Sequence, residues 1–499
     1  MTIRMFMLAV ATVLVAACGS AETTTTGTTD AAPAFAVRNV TVIDGTGAPA
    51  QPGMTVVVTG TRITGVGRDI EVPQAAQVVD GTGKYMIPGL WDMHIHIHRW
   101  DEFPLLLANG VTGVRLMAGL PEYFKMVEAI EAGRAVGPRM AIASRNIDGR
   151  IPEQPLPPAP GDTAGEAEEF GQVERGESIP RAVQVTNRDE ARTAMAQAKA
   201  SGVEFVKIHN ELTRDAYFAI AEEARQQGLY LTGHMPTGVS LAELSDSGMR
   251  SIEHFSGFLE GCSTREDELL RLALEAQSLP PAERGRANVR IQRLAVESFS
   301  AGRCRALAER FVKNQTWLSP TFMPGGGMRA DRDRGAAAAR YIPAALRARW
   351  IKAAEGARPP APSPDQQAVG KLVEAKQREI VGIMKEAGVQ FVIGTDTGRP
   401  WRMTGFNMHE ALEETVRAGL TPMEAITAAT ASSARLLRRD GQWGTIEPNK
   451  LADLVLLDAN PLDQIGNTRR INAVVINGRL LDRQALDAML AELEKANAN

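Results

Sequence analysis

Histidines lie at the ends of several apolar runs, which is where a parallel sheet would place metal ligands. His94 and His96 end one run, and alternate residues of a strand point to the same face. His234 and His254 end two further runs, and Asp396 ends another. Neutral imidazole and carboxylate are ligands of zinc and similar divalent ions. One such histidine would more often be structural, but the repeated pattern predicts a metal site.

Lys207 ends a further apolar run and is the remaining candidate ligand. Desolvation and nearby metal charge would lower the pKa of its ammonium group. The neutral amine could then react with carbon dioxide to form a carbamate that bridges two metals. The alternative is an ammonium group that binds a substrate carboxylate. We favour the carbamate, because two cations require a bridging anion.

Four other residues around the predicted site have less definite roles. His209 lies two residues past Lys207 and therefore on the same face, where it either contacts substrate or only packs. Arg145 either clamps a substrate carboxylate or is an ordinary loop arginine. His98 continues the alternation of His94 and His96 but lies beyond the expected ligands, and His409 is predicted to be structural.

The elements that would position these residues alternate between strand and helix. Eight short apolar runs separated by helical patterns predict an α/β fold, a parallel (β/α)8 TIM-type barrel over residues 89–437. Insertions are predicted at 145–181, 258–314 and 321–364. They follow the third, sixth and seventh of the eight predicted barrel strands. Barrel enzymes place their sites at these strand ends, so we expect the insertions to set specificity. Residues 35–88 and 438–482 show strand patterns, and residues 483–499 predict a terminal helix.

The N-terminus is predicted to be a targeting segment. Residues 1–17 form a short signal-like apolar run, followed by Cys18 in a setting that resembles a bacterial lipobox. The resemblance implies cleavage before Cys18, lipidation of its thiol and an outer-membrane location facing the periplasm. Residues 18–34 are predicted to be a flexible tether. A plain secretory signal is the alternative.

The remaining composition limits the partners and the redox chemistry. The chain has 499 residues and a formal charge of −4, so no basic excess exists to bind nucleic acid. With Cys18 lipidated in an oxidising compartment, Cys262 and Cys304 remain and are predicted to form a disulfide. The sequence leaves a homo-oligomer open.

Several segments match motifs of one enzyme superfamily. They are residues 88–96, 110–115, 251–254, 393–396, 418–425, 452–455 and 460–462. Across nearly all of residues 36–480 the chain resembles the metal-dependent amidohydrolase superfamily. Within that superfamily it resembles the imidazolonepropionase-like group, which includes secreted Xaa-dipeptidases. The resemblance implies that residues 35–88 and 438–482 join into one small β-sandwich.

The resemblance also implies a division of the ligands between two divalent ions, with zinc expected. His94, His96 and Asp396 would hold one ion, His234 and His254 the other, and carboxylated Lys207 would bridge them. A hydroxide shared by the two ions would attack the substrate carbonyl, with Asp396 as the proton shuttle. Asp92 and Glu253 are predicted either to orient ligands or to be structural partners.

The expected activity is therefore hydrolysis of an amide bond in a dipeptide or an N-acyl amino acid. The first alternative is hydrolysis of a lactone, carbamate or ester by the same site. The second is a lipoprotein that binds a metal or solute without turnover. A complete ligand set that includes a proton shuttle argues against the second alternative, because a binding protein does not need to move protons.

Overall fold

The computed structural model describes residues 34–97, 99–149, 182–325, 327–356 and 363–498. The predicted signal peptide 1–17, the lipidation site Cys18, nearly all of the tether 18–34, His98 and most of the insertion 145–181 lie outside the described residues. Among the described residues, no helix has the length and apolar character needed to cross a membrane.

The described strands are numbered in chain order. They are β1 Ala34–Val42, β2 Gln51–Thr59, β3 Arg62–Gly67, β4 Gln77–Asp80, β5 Tyr85–Pro88, β6 Leu90–Ile95, β7 Val111–Leu116, β8 Arg139–Ile142, β9 Ile147–Asp148, β10 Val183–Gln184, β11 Val206–Ile208, β12 Leu231–Gly233, β13 Met249–Glu253, β14 Trp317–Ser319, β15 Leu454–Leu457, β16 Ile471–Ile476 and β17 Arg479–Asp482.

The described α-helices are numbered in the same way. They are α1 Phe103–Ala108, α2 Pro121–Glu131, α3 Arg188–Ala200, α4 Arg214–Gln226, α5 Leu241–Asp246, α6 Phe258–Gly261, α7 Glu266–Gln277, α8 Pro281–Glu297, α9 Ala301–Asn314, α10 Gly327–Gly335, α11 Ala344–Gly356, α12 Pro364–Glu386, α13 Phe406–Ala418, α14 Pro422–Ala428, α15 Ala431–Leu436 and α16 Arg483–Ala496. Short 3₁₀ helices cover Trp100–Glu102, Ala339–Tyr341 and Ile465–Arg469.

Strands from residues 34–88 and from residues 454–482 form one eight-stranded sheet. Its order is β17-β16-β15-β5-β1-β2-β3, and β4 pairs with β1. The two parts meet where β5 pairs antiparallel with β15. The Asn477–Gly478 turn joins β16 to β17 with positive φ at both residues, as a tight hairpin turn requires. Apolar side chains such as Val56, Ile63 and Leu454 form the core of this sheet.

The parallel strands hold the candidate ligands. One parallel sheet has the order β6-β7-β8, and another has the order β10-β9-β11-β12-β13-β14. Single parallel bridges extend these sheets. They are Ala143 with Phe205, Leu318 with Phe391, and Ile95 with Thr397. Residues 389–395, predicted as the eighth strand, are instead extended chain with only isolated bridges. This segment still forms hydrogen bonds with a strand on each side. Val392 N–H donates to the Leu318 carbonyl in β14, and Met93 N–H in β6 donates to the Ile393 carbonyl.

Insertions follow β13 and β14. The insertion at 258–314 is helical, as predicted, and contains α6 to α9. A disulfide joins Cys262, just after α6, to Cys304 in α9. In the insertion at 321–364, α10 and α11 are the α-helices among the described residues. The first insertion follows β13, which ends just before His254, and the second begins at Thr321, whose hydroxyl lies 2.7 Å from His254 Nδ1. Residues of both insertions can therefore contact the site.

Candidate metal centre

Imidazole rings form a continuous cluster where the parallel strands end. Ring centroids are 5.5 Å apart for His94 and His96, 4.9 Å for His94 and His254, 4.6 Å for His254 and His234, and 4.1 Å for His234 and His209. Potential ligand atoms of His94, His254 and Asp396 all lie within 4.8 Å of one another. The structure therefore brings together side chains that are widely separated along the chain.

The protonation of His94 is set by a buried carboxylate. His94 Nδ1 lies 2.9 Å from Glu253 Oε2, and both side chains are buried. Burial alone would raise the pKa of Glu253, but Arg115 and the bond to His94 lower it well below its usual value. An ionised carboxylate only accepts hydrogen bonds, so Nδ1 of His94 carries the proton and Nε2 presents a lone pair.

That lone pair faces a second electron-rich group. His94 Nε2 and His96 Nε2 each lie 3.5 Å from Asp396 Oδ1. Burial and the charge of Lys207 lower the pKa of His94 well below its usual value, so its ring is neutral at pH 7. A lone pair and a carboxylate oxygen repel each other unless a cation lies beside both. The donor set therefore fits a divalent metal ion.

His234 and His254 also bring ring nitrogens close together. Their Nε2 atoms are 2.9 Å apart. Asn210 Oδ1 lies 3.5 Å from His234 Nδ1, while the Asn210 amide nitrogen donates to Glu211. This orientation gives His234 a proton on Nδ1 and a lone pair on Nε2. Burial lowers the pKa of His254 to about 4, so this ring is also neutral.

Lys207 is buried, and its Nζ has no hydrogen-bond partner among the described residues. Its charge lowers the pKa values of His94, His234 and His254, so it acts on candidate ligands from both histidine pairs. Burial lowers the pKa of the Lys207 amine to about 8. A buried ammonium group without a partner is costly, and a carbamate would replace it with an anionic ligand.

Backbone strain and close packing occur at the candidate ligands themselves. His254 and Asp396 have φ values of 65° and 51°, in the left-handed region that non-glycine residues rarely adopt. Gly394 precedes Asp396 by two residues, and a Cβ at this position would lie 2.5 Å from His94 Cβ. Strained residues of this kind cluster at functional sites, where the surrounding structure holds them.

The other predicted residues occupy different surroundings. His209 packs against His234 with the two rings tilted by 42°, and its Nδ1 lies 3.1 Å from Asp148 Oδ2. Arg145 is half-buried beside Ser144, whose hydroxyl accepts the Lys207 backbone N–H; a substrate contact for Arg145 stays a prediction. His409 is buried away from this cluster and bonds to Thr468, as a structural residue would.

Asp92 and Glu253 have different roles in the structure. Asp92 accepts the backbone N–H groups of His94 and Thr395 and the Thr395 hydroxyl, so it joins β6 to the extended segment 389–395. Glu253 bonds to a candidate ligand directly. Asp92 is thus a structural partner, and Glu253 orients His94.

Four residues near the site were not predicted from the sequence. Arg115 donates from Nη2 to Glu253 at 2.6 Å and from Nε to the Met93 carbonyl at 2.6 Å. Thr321 Oγ1 lies 2.7 Å from His254 Nδ1. Arg399 and Arg402 lie 3.1 Å and 3.9 Å from Asp396 Oδ2. Arg115 ends a motif noted in the sequence, but no pattern indicated its partner.

A separate cavity of about 350 Å³ lies between α10 and α13. Its walls include Asp331, Arg334, Tyr341, Trp401 and Glu410, and none of the candidate metal ligands lines it. The chemistry is therefore assigned to the histidine cluster and not to this cavity.

Comparisons with known proteins agree with this geometry. The model of the amidohydrolase family matches residues 85–481. Ochratoxinase of Aspergillus niger is 23% identical over 483 residues, covering 88% of this chain and 84% of that protein. The structure of bottromycin amidohydrolase is similar with a TM-score of 0.69 and 23% identity, covering 93% of this chain and 90% of that one.

A Xaa-Pro dipeptidase crystallised with methionine in its active site is also similar in structure. Its TM-score is 0.59 and its identity 19%, covering 90% of this chain and all (100%) of that one. These two solved structures show the fold, and the family match covers most of the chain. The chain belongs to the amidohydrolase family and is an enzyme, a hydrolase of the class that this family name describes.

Proposed function

We propose that this protein hydrolyses an amide bond in a dipeptide or an N-acyl amino acid, using two divalent metal ions. The observation that carries the proposal is the arrangement of possible ligand atoms. Nε2 of His94 faces the Asp396 carboxylate, and Nε2 of His234 faces Nε2 of His254. Two adjacent sets of possible ligand atoms among buried strand ends are what a pair of cations requires.

We assign His94, His96 and Asp396 to one ion, His234 and His254 to the other, and a carbamate on Lys207 to the bridge. Formation of the carbamate joins the Lys207 nitrogen to the carbon of carbon dioxide and releases a proton. The lowered pKa of Lys207, about 8, supports this reaction, because more of the amine is neutral near pH 7. When bound, the ions would activate a water molecule and polarise the substrate carbonyl.

Asp396 is suited to move the proton that this reaction requires. Burial would raise its pKa, but the His96 hydrogen bond and the charges of His94 and Arg399 lower it well below its usual value. The carboxylate is therefore ionised at neutral pH and can accept a proton. Returning that proton to the leaving nitrogen completes amide cleavage, so one group serves as base and then acid.

The proposed architecture follows from the same strand ends. We propose that β6, β7, β8, β11, β12, β13, β14 and the segment 389–395 form a (β/α)8 barrel with the site at its mouth. The three single bridges join neighbouring members of this set and support the proposal. We also propose that the protein is exported and lipid-anchored through Cys18, and the Cys262–Cys304 disulfide supports an oxidising compartment.

A substrate screen tests the proposed activity. Purified full-length protein, loaded with zinc, is assayed against dipeptides, N-acyl amino acids, lactones and simple esters. We expect cleavage of dipeptides or N-acyl amino acids, abolished by a chelator and restored by added zinc. Faster turnover of lactones or esters would assign the same machinery to a different bond. Metal binding without turnover of any substrate would identify a metal-binding protein and reject the proposal.

A further inference from the structure

The two oxygens of Asp396 have different neighbours. Oδ1 faces the imidazoles of His94 and His96 at 3.5 Å. Oδ2 faces the guanidinium groups of Arg399 and Arg402 at 3.1 Å and 3.9 Å. One oxygen of this carboxylate thus faces the histidine cluster, and the other faces two arginine side chains on the loop that follows Asp396.

The backbone of this loop forms a turn that a buried side chain anchors. Arg402 N–H donates to the Arg399 carbonyl at 3.1 Å. Pro400 in second position and a positive φ of 70° at Trp401 are typical of a type II turn. Trp401 is buried, and its indole N–H donates to the Trp350 carbonyl at 3.2 Å. The helical insertion that contains Trp350 therefore anchors the turn.

The two arginines are not equivalent. Arg402 is mostly buried, with 20% of its side chain exposed, and its Nε lies 3.7 Å from Asp331. Arg399 is 60% exposed, and its Nη2 is the atom that contacts Asp396. A guanidinium group carries five N–H donors, so Arg399 retains donors that a ligand in the mouth can reach.

Arg399 is close enough to the reacting position to read a substrate. Its Nη2 lies 3.1 Å from Asp396 Oδ2, and the other oxygen of that carboxylate lies 3.5 Å from His94 Nε2. In a dipeptide or an acyl amino acid the free carboxylate is only two bonds from the scissile nitrogen. A group that binds this carboxylate must therefore lie beside the cluster, and a guanidinium group matches a carboxylate in shape and charge.

We propose that Arg399, supported by Arg402, binds the free carboxylate of the substrate and makes the enzyme selective for it. This inference rests on the proposed function, because it names the part of the substrate that the same site recognises. The proposal assigns the substrate contact that was predicted for Arg145 or His209 to the loop that follows residues 389–395. His209 already has a carboxylate neighbour in Asp148.

The test compares two substrates that differ only in charge. The best dipeptide or acyl amino acid is assayed with its C-terminal amide, in the wild type and in Arg399→Gln and Arg399→Lys. We expect the wild type to prefer the free acid. Arg399→Gln should reduce the ratio of the two kcat/KM values by about 10- to 100-fold, since a hydrogen bond to a charged group is lost. Arg399→Lys should retain part of the preference, because lysine keeps the positive charge but cannot form the paired hydrogen bonds of a guanidinium group.

Arg192→Gln is the matched control. Arg192 is 59% exposed and pairs with the acidic residue Asp189 at a spacing of three, as Arg399 pairs with Asp396, but it lies on α3. This variant should keep the wild-type ratio. Metal content by mass spectrometry should be the same in all the proteins, which separates substrate recognition from loss of a ligand.

Direct binding separates this inference from the proposed function. Calorimetry measures the affinities of phenylalanine, which carries the free carboxylate but no scissile amide bond, and of phenylalaninamide for wild type and Arg399→Gln. Tighter binding of the acid, lost in Arg399→Gln, is expected even if no peptide is cleaved. Equal affinities in the wild type, or an unchanged preference in Arg399→Gln, would overturn the inference. If the wild type cleaves acid and amide at equal rates, amide hydrolysis stands and the carboxylate subsite does not.

Discussion

Replacing Arg115 by Met tests whether the buried ion pair of Arg115 and Glu253 stabilises the fold around the candidate metal site. Arg115 is fully buried and donates to the Met93 carbonyl, to Ser251 Oγ and to Glu253 Oε1 at 2.6, 2.9 and 2.6 Å. Arg115→Met keeps an unbranched apolar chain in place of the aliphatic part of arginine but removes all three hydrogen bonds. The Glu253 carboxylate then keeps His94, Thr232 and Ser251 as neighbours but loses its compensating charge.

The expected loss of stability is large. Removing one partner of a buried ion pair typically costs about 3–5 kcal/mol, because the other charge is left in a low-dielectric interior. We expect a lower urea midpoint by circular dichroism for Arg115→Met at pH 7. The double variant Arg115→Met/Glu253→Leu should recover part of this loss, since the carboxylate that Arg115→Met leaves unpaired is removed as well.

The pH dependence gives the argument a sign. In the wild type the pKa of Glu253 is well below 4.5, so its contribution to stability is present above that value and lost as pH falls. In Arg115→Met burial should raise this pKa, so the carboxylate would destabilise the fold above pH 4.5. The stability gap between variant and wild type should therefore narrow as pH is lowered towards 4. A gap below 1 kcal/mol at pH 7, or a gap that widens on acidification, would refute the reasoning.

Three further predictions concern the metal centre and the disulfide. Asp396→Asn should retain at least one bound ion by elemental analysis but lower kcat by about 10²–10⁴-fold; unchanged turnover would exclude its role as proton shuttle. Lys207→Ala should bind fewer metal ions than the wild type and lose activity, and two ions per active chain would contradict the bridging carbamate. The disulfide closes a loop with a separation of 42 residues, so Cys262→Ser should lower stability by about 4 kcal/mol. Two alkylatable thiols in the unreduced wild type would show that Cys262 and Cys304 are not bonded.

The sequence predicted much of the histidine cluster, because it depends on local rules. His94 and His96 share a face through strand alternation, and His234 and His254 each follow a short apolar run that is a strand in the structure. The parallel arrangement then brings the ends of these strands together. This reasoning does not require knowing which residues distant in sequence are in contact.

Other parts of the structure depend on contacts that no local pattern encodes. Arg115 and Glu253 are separated by 138 residues, so only the folded chain shows that they form a pair. The segment 389–395 has the apolar pattern of a strand, yet it makes only isolated bridges. Gly394 and the left-handed Asp396 interrupt its regular backbone in order to bring a carboxylate to His94.

The buried charges of the site separate a structural role from a functional one. Arg115 and Glu253 satisfy each other through short hydrogen bonds, as buried ions in a stable core must. Lys207 is equally buried, but its Nζ has no hydrogen-bond partner among the described residues, although Glu253 and Asp396 act on its charge. A cluster selected only for stability would place one of these carboxylates against Lys207. The carboxylates instead face imidazoles and arginines, which leaves the amine available for chemistry of its own.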